Sequence, residues 1–214
     1  MAALSINAQE TEQQSGFSER YFDACYASSR DPWKIEKGWY EARKRALLLA
    51  SLPRQRYRQA YEPGCGTGVL TRALAARCDR VLASDTAQAA LDIARAHPET
   101  PNHIGWQVMS LGKDWPEGRF DLIVLSELAY YLSDAALTAV ISTLKAALLP
   151  DATVVCCHWR HPFEGAPRVG IELHRHIDKL IGLPMLGEYL DTDFCLSLWT
   201  TSSESVAQGE ALRT

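Results

Sequence analysis

The sequence lacks the features that mark a nucleic-acid-binding, membrane-spanning or secreted protein. Its 214 residues carry 22 Lys and Arg against 26 Asp and Glu, and a net charge of −4 offers no concentrated positive charge for nucleic-acid phosphates. No run of about 18 apolar residues occurs, so we predict no membrane span. A basic segment followed by an apolar one, typical of a secretory signal, is missing from the first residues. We therefore expect a cytoplasmic protein with neither a nucleic-acid nor a membrane partner.

Closely paired cysteines are missing too. The six cysteines show no Cys-x-x-Cys spacing, and four of them lie on or beside predicted strands or the adjoining helix, where cysteine acts as a small apolar side chain. We therefore predict neither disulfides nor a zinc site. One local concentration of positive charge, formed by Arg54, Arg56 and Arg58, lies near the end of a predicted helix, and we interpret it as a solvated face.

The chain divides into one folded domain and two polar ends. Residues 1–15 are rich in Gln, Glu, Ser and Ala without periodicity and are predicted to be disordered. Residues 16–201 are predicted to form a single domain, whose first part, 16–52, is a helical cap. Aromatic residues at helical intervals, followed by an amphipathic pattern, predict two helices in this cap. Residues 202–214 are predicted to form a polar tail.

Strand and helix patterns alternate after this cap. Such alternation is typical of a parallel sheet with helices on both faces. Only Asp191 and Thr192 separate the last two strands, which are therefore expected to pair antiparallel. The predicted fold is α/β: a Rossmann-like, doubly wound, mostly parallel seven-stranded sheet with a terminal antiparallel strand. The predicted strands are Tyr57–Glu62, Arg80–Ser84, Ile104–Met109, Phe120–Leu125, Ala152–His158, Gly187–Leu190 and Asp193–Thr200; the predicted helices are Phe17–Tyr26, Trp39–Ser51, Val69–Arg77, Gln88–Ala96, Asp134–Leu148 and Arg168–Ile181.

Three glycines at alternate positions, Gly64, Gly66 and Gly68, follow the first predicted strand. They let a loop pass tightly beneath a ligand, because glycine has no Cβ and adopts positive φ readily. The next predicted strand ends on Asp85, at the spacing of an acid that holds the ribose of a nucleoside. Asp85 could alternatively cap the helix that follows it. The loop and the acid together predict a nucleoside-containing cofactor.

The residues around the loop distinguish between cofactors. In the dinucleotide fingerprint a small residue would stand at Val69, and Glu62 would repel a pyrophosphate. A carboxylate at Glu62 could instead pair, directly or through water, with the α-ammonium of a methionyl group. The pattern resembles motif I of class I S-adenosylmethionine-dependent methyltransferases, acid-x-Gly-x-Gly-x-Gly. This resemblance implies S-adenosyl-L-methionine as the cofactor; a nucleotide-dependent oxidoreductase and a cofactor-binding module without catalysis are the alternatives.

Ligands of an open parallel sheet lie beyond the carboxyl ends of its strands. This rule selects Thr86, next to the candidate ribose acid, after the second strand. After the third strand come Ser110 and Leu111, where class I enzymes often place an Asp or another hydrogen-bonding residue beside adenine. Ser126 follows the fourth strand. We predict that all four residues contact the cofactor.

Three residues near the last parallel strands are candidates for catalysis. Glu127 either faces the substrate as a base or ammonium anchor, or is a solvated loop acid. Tyr130 either lines the pocket or packs in the core. His158 is the candidate general base, because its charge state responds near neutral pH, and packing is its alternative role. A metal site at His158 and His161 lacks a third ligand, so we predict no metal.

The sequence also resembles one methyltransferase family. Asp31-Pro32-Trp33, the glycine segment, the stretch from Phe120 to Leu132 and the late strand pair are similar to the nodulation protein S family. The resemblance extends over roughly residues 17–200. In that family the aromatic segment before the first strand folds over the cofactor as an N-terminal helical lid. Carried over to this chain, the lid candidates are Tyr21, Trp33 and Tyr40, with Arg43 near the methionyl carboxylate.

The resemblance implies a function as well as a fold. It implies an S-adenosylmethionine-dependent methyltransferase acting on a small molecule or saccharide, with N-methylation of an amino group on an amino-sugar-like acceptor. An O-methyltransferase of a small metabolite is the alternative. The run from His158 to Pro162 is more like a branch found alone or fused to sugar-processing domains, so the nodulation substrate itself is not implied. We expect a monomer or a homodimer.

Overall fold

A computed structural model describes residues 19–163, 166 and 168–210. The predicted disorder of residues 1–15, the aromatic Phe17 and residues 211–214 of the predicted polar tail lie outside the described residues. The first elements are two helices, α1 (Glu19–Ser28) and α2 (Trp39–Ser51), which precede the first strand. None of the helices formed by the described residues is long and apolar enough to cross a membrane.

The described residues form a seven-stranded sheet with the order β3-β2-β1-β4-β5-β7-β6. Strands β1 to β5 pair in parallel, whereas β7 runs antiparallel to both β5 and β6. The predicted seven-stranded, mostly parallel sheet with an antiparallel late pair is confirmed. Along the chain the elements are β1 (Tyr57–Pro63), α3 (Val69–Ala75), β2 (Cys78–Asp85), α4 (Gln88–Ala96), β3 (Ile104–Val108), β4 (Phe120–Ser126), a 3₁₀ turn (Ala129–Tyr131), α5 (Asp134–Ala146), β5 (Leu148–Trp159), α6 (Gly170–Ile181), β6 (Met185–Leu190), β7 (Phe194–Thr200) and α7 (Val206–Gly209).

Alternate residues of the central strands point into two cores, one on each face of the sheet. Leu122 and Val124 of β4 pack in a core with Leu48 of α2 and side chains of α3 and α4. Their neighbours Ile123 and Leu125 pack in the opposite core with side chains of α5 and α6. Because successive side chains of a strand point to opposite faces, the apolar runs bury both faces of the sheet.

Several element boundaries differ by a few residues from the sequence-based prediction, and the end of α5 is one of them. Helix α5 ends at Ala146 rather than at Leu148, because Leu148 pairs with Phe120 and so begins β5. Leu148 is apolar and buried, and an apolar residue at this place fits the end of a helix as well as the start of a strand. The predicted polar tail contains the short helix α7, which begins with a capping box between Ser205 and Gln208.

Candidate active site

The glycine loop between β1 and α3 adopts left-handed backbone conformations, with φ of 69° at Gly64, 53° at Gly66 and 72° at Gly68. Space adds a second constraint at two of these positions. A Cβ on Gly66 would lie 2.6 Å from the hydroxyl oxygen of Tyr26, and a Cβ on Gly68 would lie 2.5 Å from the ring of Trp106. The loop therefore requires glycine for its conformation and for close packing.

Asp85 holds this loop from the adjacent strand. Its Oδ2 accepts a hydrogen bond from the backbone N–H of Gly66 at 2.8 Å, and its Oδ1 accepts one from Ala87 at 2.9 Å. Burial raises the pKa of the Asp85 carboxyl, while these N–H groups act against the shift. Each carboxylate oxygen has a second lone pair, so the side chain can brace the loop and still accept from a ligand hydroxyl. Thr86 lies beside it, half-buried.

Glu62 lies beneath the same loop at the end of β1. Its side chain is 3% exposed, and its Oε2 has no hydrogen-bond partner among the residues that the structure describes. Burial and then the charge of Asp85 raise the pKa of Glu62 to about 8, against the opposing effects of Thr71 and Arg72. A buried acceptor without a partner is costly, so this oxygen is suited to a donor that is not part of the described protein, such as an ammonium group or a water molecule.

A cavity of about 100 Å³ connects the glycine loop to the residues that follow β4. Glu62 and Gly64, at the glycine loop, and Ser126 and Glu127, at the end of β4, all line it. The cavity is small, but it accommodates the amino-acid end of a ligand and a few water molecules. The charged side chains that line it are Glu41, Lys44, Arg45, Glu62 and Glu127.

Glu127 is held by three donors from three parts of the chain. Its Oε1 lies 2.7 Å from Nζ of Lys44, and its Oε2 accepts hydrogen bonds from the Tyr130 hydroxyl at 2.6 Å and the Trp159 N–H at 3.0 Å. Its backbone has a φ of 52°, a conformation that non-glycine residues adopt at a cost of about 1–3 kcal/mol and often at functional sites. The structure thus orders this carboxylate at the cavity wall rather than leaving it as a solvated loop acid.

Lys44 is the partner of Glu127 that sequence reasoning missed. It lies on α2, is 5% exposed, and its Nζ also contacts Oε1 of Glu41 at 2.9 Å. Burial lowers the pKa of Lys44, but the carboxylates of Glu127 and Glu41 outweigh burial and raise it overall. One signal was present in the sequence: Lys44 lies four residues after Tyr40 and four before Leu48, on the face of α2 that turns toward the core.

His158 lies in the core, as its alternative role in packing requires, and its role as the general base stays a prediction. It is 0% exposed, its Nε2 accepts from the Ala129 N–H at 3.2 Å, and its Nδ1 lies 2.9 Å from Nε2 of His174. Nδ1 of His174 in turn lies 2.8 Å from the Ser197 hydroxyl. Burial and then the charge of Lys44 lower the pKa of His158 to about 3. Both ring nitrogens are occupied, so His158 cannot reach a substrate in this arrangement.

The N-terminal helices cover the glycine loop through a residue that was not among the predicted lid residues. Tyr26, on α1, is buried and packs against Ala87 and Ala90 of the next βα unit. Trp33 packs on Tyr26 with a ring separation of 5.3 Å and remains 43% exposed, while Tyr21 is 40% exposed at the outer side of α1. Trp33 thus packs on the residue that lies against the loop.

Arg43 contacts the end of the sheet formed by the last two strands, and its place near a methionyl carboxylate stays a prediction. Its guanidinium forms an ion pair with Asp191 at 2.8 Å and a hydrogen bond with the Tyr189 hydroxyl at 2.9 Å. Arg43 and Arg45 differ in their contacts because residues two apart on a helix point to different faces. Arg45, two residues later, lines the cavity and donates to the backbone carbonyl of Ile35.

The remaining predicted cofactor residues lie at the carboxyl ends of β3 and β4. The N–H of Ser110 is bonded to Oδ2 of Asp114 at 2.9 Å, and Leu111 pairs with Asp114 in a short bridge. This acid four residues after Ser110 was not predicted. Ser126 lines the cavity. No cluster of three or more potential metal ligands occurs within residues 19–163, 166 and 168–210.

Tyr40 and Tyr130 both pack against aromatic neighbours at the edge of the site. The ring of Tyr40 lies 5.7 Å from that of Trp159, in an edge-on arrangement. Tyr130 is 5% exposed and contacts the ring of His158 at 5.2 Å, while its hydroxyl reaches Glu127. Tyr130 is therefore both packed in the core and part of the polar network.

Comparison with known proteins identifies the family. The family model for nodulation protein S matches residues 24–179. Nodulation protein S of Rhizobium tropici is 32% identical over 176 residues, which is 78% of this chain and 73% of that protein. A crystal structure from Pseudomonas syringae, assigned to the methyltransferases, is 39% identical, with a TM-score of 0.65 and coverage of 76% of this chain and 99% of that chain.

A further solved structure shares the fold. The N-methyltransferase NodS of Bradyrhizobium japonicum WM9, solved with S-adenosyl-L-homocysteine, superposes with a TM-score of 0.72 at 22% identity, covering 87% of this chain and 98% of that chain. The chain belongs to the nodulation protein S family of S-adenosylmethionine-dependent methyltransferases.

Proposed function

We propose that this methyltransferase N-methylates an amino group of a small molecule or saccharide, with an amino-sugar-like acceptor, and that Glu127 anchors the amine. The observation that carries the proposal is the cavity shared by Glu62, at the glycine loop, and Glu127. A donor held at one side and an amine held at the other would meet within it. The ordered carboxylate of Glu127 is suited to a cationic or hydrogen-bond-donating group.

The cofactor fits the residues at the loop. The partnerless oxygen of Glu62 suits the α-ammonium, Asp85 suits the ribose hydroxyls, and the glycine loop allows close approach. When bound, S-adenosylmethionine supplies an activated methyl group: the acceptor nitrogen forms the new C–N bond with its lone pair, the electrons of the broken C–S bond stay on sulfur, and the nitrogen releases one proton. We assign Thr86, Ser110, Leu111 and Ser126 to the same ligand as lesser contacts.

The charges of the site favour an amine over a hydroxyl acceptor. A hydroxyl needs a general base with access to it, and His158, the candidate for that role, is enclosed and fully hydrogen-bonded. An amine is nucleophilic once it is neutral, and alignment then supplies most of the acceleration. Positioning contributes about 7–11 kcal/mol, whereas a general base contributes about 10²–10⁴-fold. Glu127 and Tyr130 therefore act chiefly by orienting the acceptor.

The test separates donor binding from methyl transfer. Calorimetry with S-adenosylhomocysteine should give binding to the wild type and a loss of at least about 100-fold in Gly66→Val, because a side chain there meets Tyr26 and is strained at a positive φ. Gly187→Val on β6 is the matched control, since a Cβ at Gly187 meets no atom of the described residues within 4 Å.

Methyl transfer is assayed with a labelled donor against glucosamine, a short carboxylate and a phenol, with mass spectrometry of the product. We expect an N-methylated amine from the wild type. Methylation of the phenol alone would show that the acceptor atom is an oxygen rather than an amine nitrogen. Donor binding without methylation of any acceptor would instead favour a binding module.

A further inference from the structure

The ion pair between Lys44 and Glu127 lines the cavity to which the proposed function assigns methyl transfer. Enclosing a lysine ammonium costs desolvation energy, which its partners must offset. The neighbours of Lys44 on the same face of α2 are Tyr40 and the fully buried Leu48, so packing alone would favour an apolar residue here. A charged residue at such a position therefore has a reason other than packing.

The charges that face Lys44 come from four elements. Glu41 contacts it from its own helix, and the Tyr40 ring lies 5.0 Å from its Nζ. Glu127, bonded to Tyr130, contacts it from the end of β4, and Cys157 and His158 lie within its electrostatic reach on β5. Glu62 of β1 and Arg45 of α2 line the same cavity.

Among these groups Glu127 is the one that the proposed function places beside the acceptor. A carboxylate without a counter-ion stabilises the ammonium form of a neighbouring amine, and an ammonium has no lone pair for attack on a methyl group. Lys44, 2.7 Å from Glu127 Oε1, neutralises that charge. The hydrogen bonds from the Tyr130 hydroxyl and the Trp159 N–H then hold Oε2 in a fixed direction.

We propose that Lys44 is a positioning residue of this enzyme: it fixes the Glu127 carboxylate at the cavity wall and, by neutralising it, favours the uncharged, nucleophilic form of the bound amine. The inference rests on the proposed function, because it requires an amine acceptor. It adds a determinant of the acceptor's protonation state, which the donor site does not control.

The experiment compares Lys44→Met, which keeps length and removes charge, with Lys44→Arg, which keeps charge. Glucosamine binding is measured by calorimetry in two buffers of different ionisation enthalpy, which gives the protons released. In Lys44→Met the amine should bind at least as tightly, release fewer protons, and show the acidic limb of its kcat–pH profile raised by about one pH unit. At neutral pH kcat should fall about 10-fold.

Three comparisons make the result specific. Lys44→Arg should restore the wild-type limb, and Lys179→Met, an exposed lysine on α6, should leave it unchanged. Glu41→Gln removes a negative charge beside Lys44, so the acidic limb of the kcat–pH profile should move to lower pH. This variant keeps the Lys44–Glu127 pair, so it tests the idea even where Lys44→Met does not fold.

Two negative results are distinguishable. In the first, the wild type methylates an amine, but proton release and the acidic limb are unshifted in the folded Lys44→Met variant. If Lys44→Met does not fold, the same result in Glu41→Gln counts instead. Either result rejects this inference alone and leaves Lys44 a structural residue. A wild type that binds S-adenosylhomocysteine but methylates no amine rejects the proposed function and this inference together.

Discussion

The two ends of the sheet each contain a buried carboxylate, and the two are held very differently. Asp121, at the start of β4, is 0% exposed and accepts backbone hydrogen bonds from Arg58 at 2.9 Å and Gln59 at 2.8 Å. Glu62, at the end of β1, is almost as buried, yet its Oε2 has no partner among the described residues. The difference teaches that, between these two acids, hydrogen-bond satisfaction rather than burial distinguishes the structural acid from the candidate cofactor-binding acid.

The basic run of Arg54, Arg56 and Arg58 lies at the end of the sheet that contains Asp121. Arg54 and Arg58 lie 3.6 and 3.8 Å from Oδ2 of Asp121, and Arg56 pairs with Asp79. The interpretation of this run as a solvated face holds for the side chains of Arg56 and Arg58, which are 59% and 67% exposed. Because exposed ion pairs contribute little to stability, the hydrogen bonds from the two backbone N–H groups account for most of the stability that Asp121 contributes.

The largest effect on stability should come from Asp121→Asn. An amide oxygen can accept only one of the two N–H groups, and its NH₂ then faces the other donor. We expect a loss of about 2–4 kcal/mol in the free energy of unfolding, measured with urea, and an unchanged affinity for S-adenosylhomocysteine. Asp79→Asn, in the exposed pair with Arg56, is the control. A weakened donor affinity in Asp121→Asn would show that the two ends of the sheet are coupled.

Glu62→Gln should have the opposite signature. The pKa of Glu62 is raised to about 8 in the folded protein from an ordinary 4.5, so between these values the folded state binds a proton that the unfolded state does not. Wild-type stability therefore falls as pH rises through that window. Gln cannot titrate, so the variant should exceed the wild type by about 1–3 kcal/mol near pH 8 and match it near pH 4.

The same variant should bind the donor less tightly. Replacing the carboxylate by an amide removes a charge-assisted bond to the α-ammonium, and we expect about a 10-fold weaker affinity for S-adenosylhomocysteine by calorimetry. Stability and donor affinity would thus move in opposite directions at high pH. Equal affinity together with equal stability at both pH values would make Glu62 a structural acid like Asp121.

The sequence predicts best what is encoded locally. The glycine loop and the acid at the end of β2 are set by short spacings, and both lie where the strand pattern puts them. The Lys44–Glu127 pair joins residues 83 apart, and no local pattern encodes such a contact. Arg43 was predicted from resemblance alone, and the rotation of α2 turns it to the β6–β7 hairpin.

The burial of His158 was within reach of the sequence. Val154 and Cys156 pack in the core beneath α5 and α6, and His158 shares their face because strand side chains alternate. Position at the carboxyl end of β5 suggested catalysis, but β4 and β7 flank β5 on both sides and α6 supplies His174. Period-two alternation, applied to the last residues of the strand, would have favoured packing.

His158 therefore tests whether hydrogen-bond satisfaction is a better guide to a residue's role than its position in the sheet. It lies at the end of the sheet that contains the site, and both of its ring nitrogens are bonded. In His158→Gln we expect kcat within about threefold of the wild type, whereas loss of a general base would cost about 10²–10⁴-fold. The free energy of unfolding should fall by about 1–2 kcal/mol, because the bonds to Ala129 and His174 are disturbed. His161→Gln, an exposed histidine three residues later, is the matched control.

The pH dependence gives this variant a second readout. Burial lowers the pKa of His158 to about 3 from an ordinary 6.5, so below pH 6.5 the unfolded state binds a proton that the folded state does not. Wild-type stability is therefore lost as pH falls through that window, and His158→Gln should lose it less steeply. A fall in kcat of about 100-fold or more with donor affinity intact would return His158 to the role of base. An enclosed side chain would then need a proton path to the cavity, and Tyr130 offers one, since its ring contacts His158 and its hydroxyl reaches Glu127.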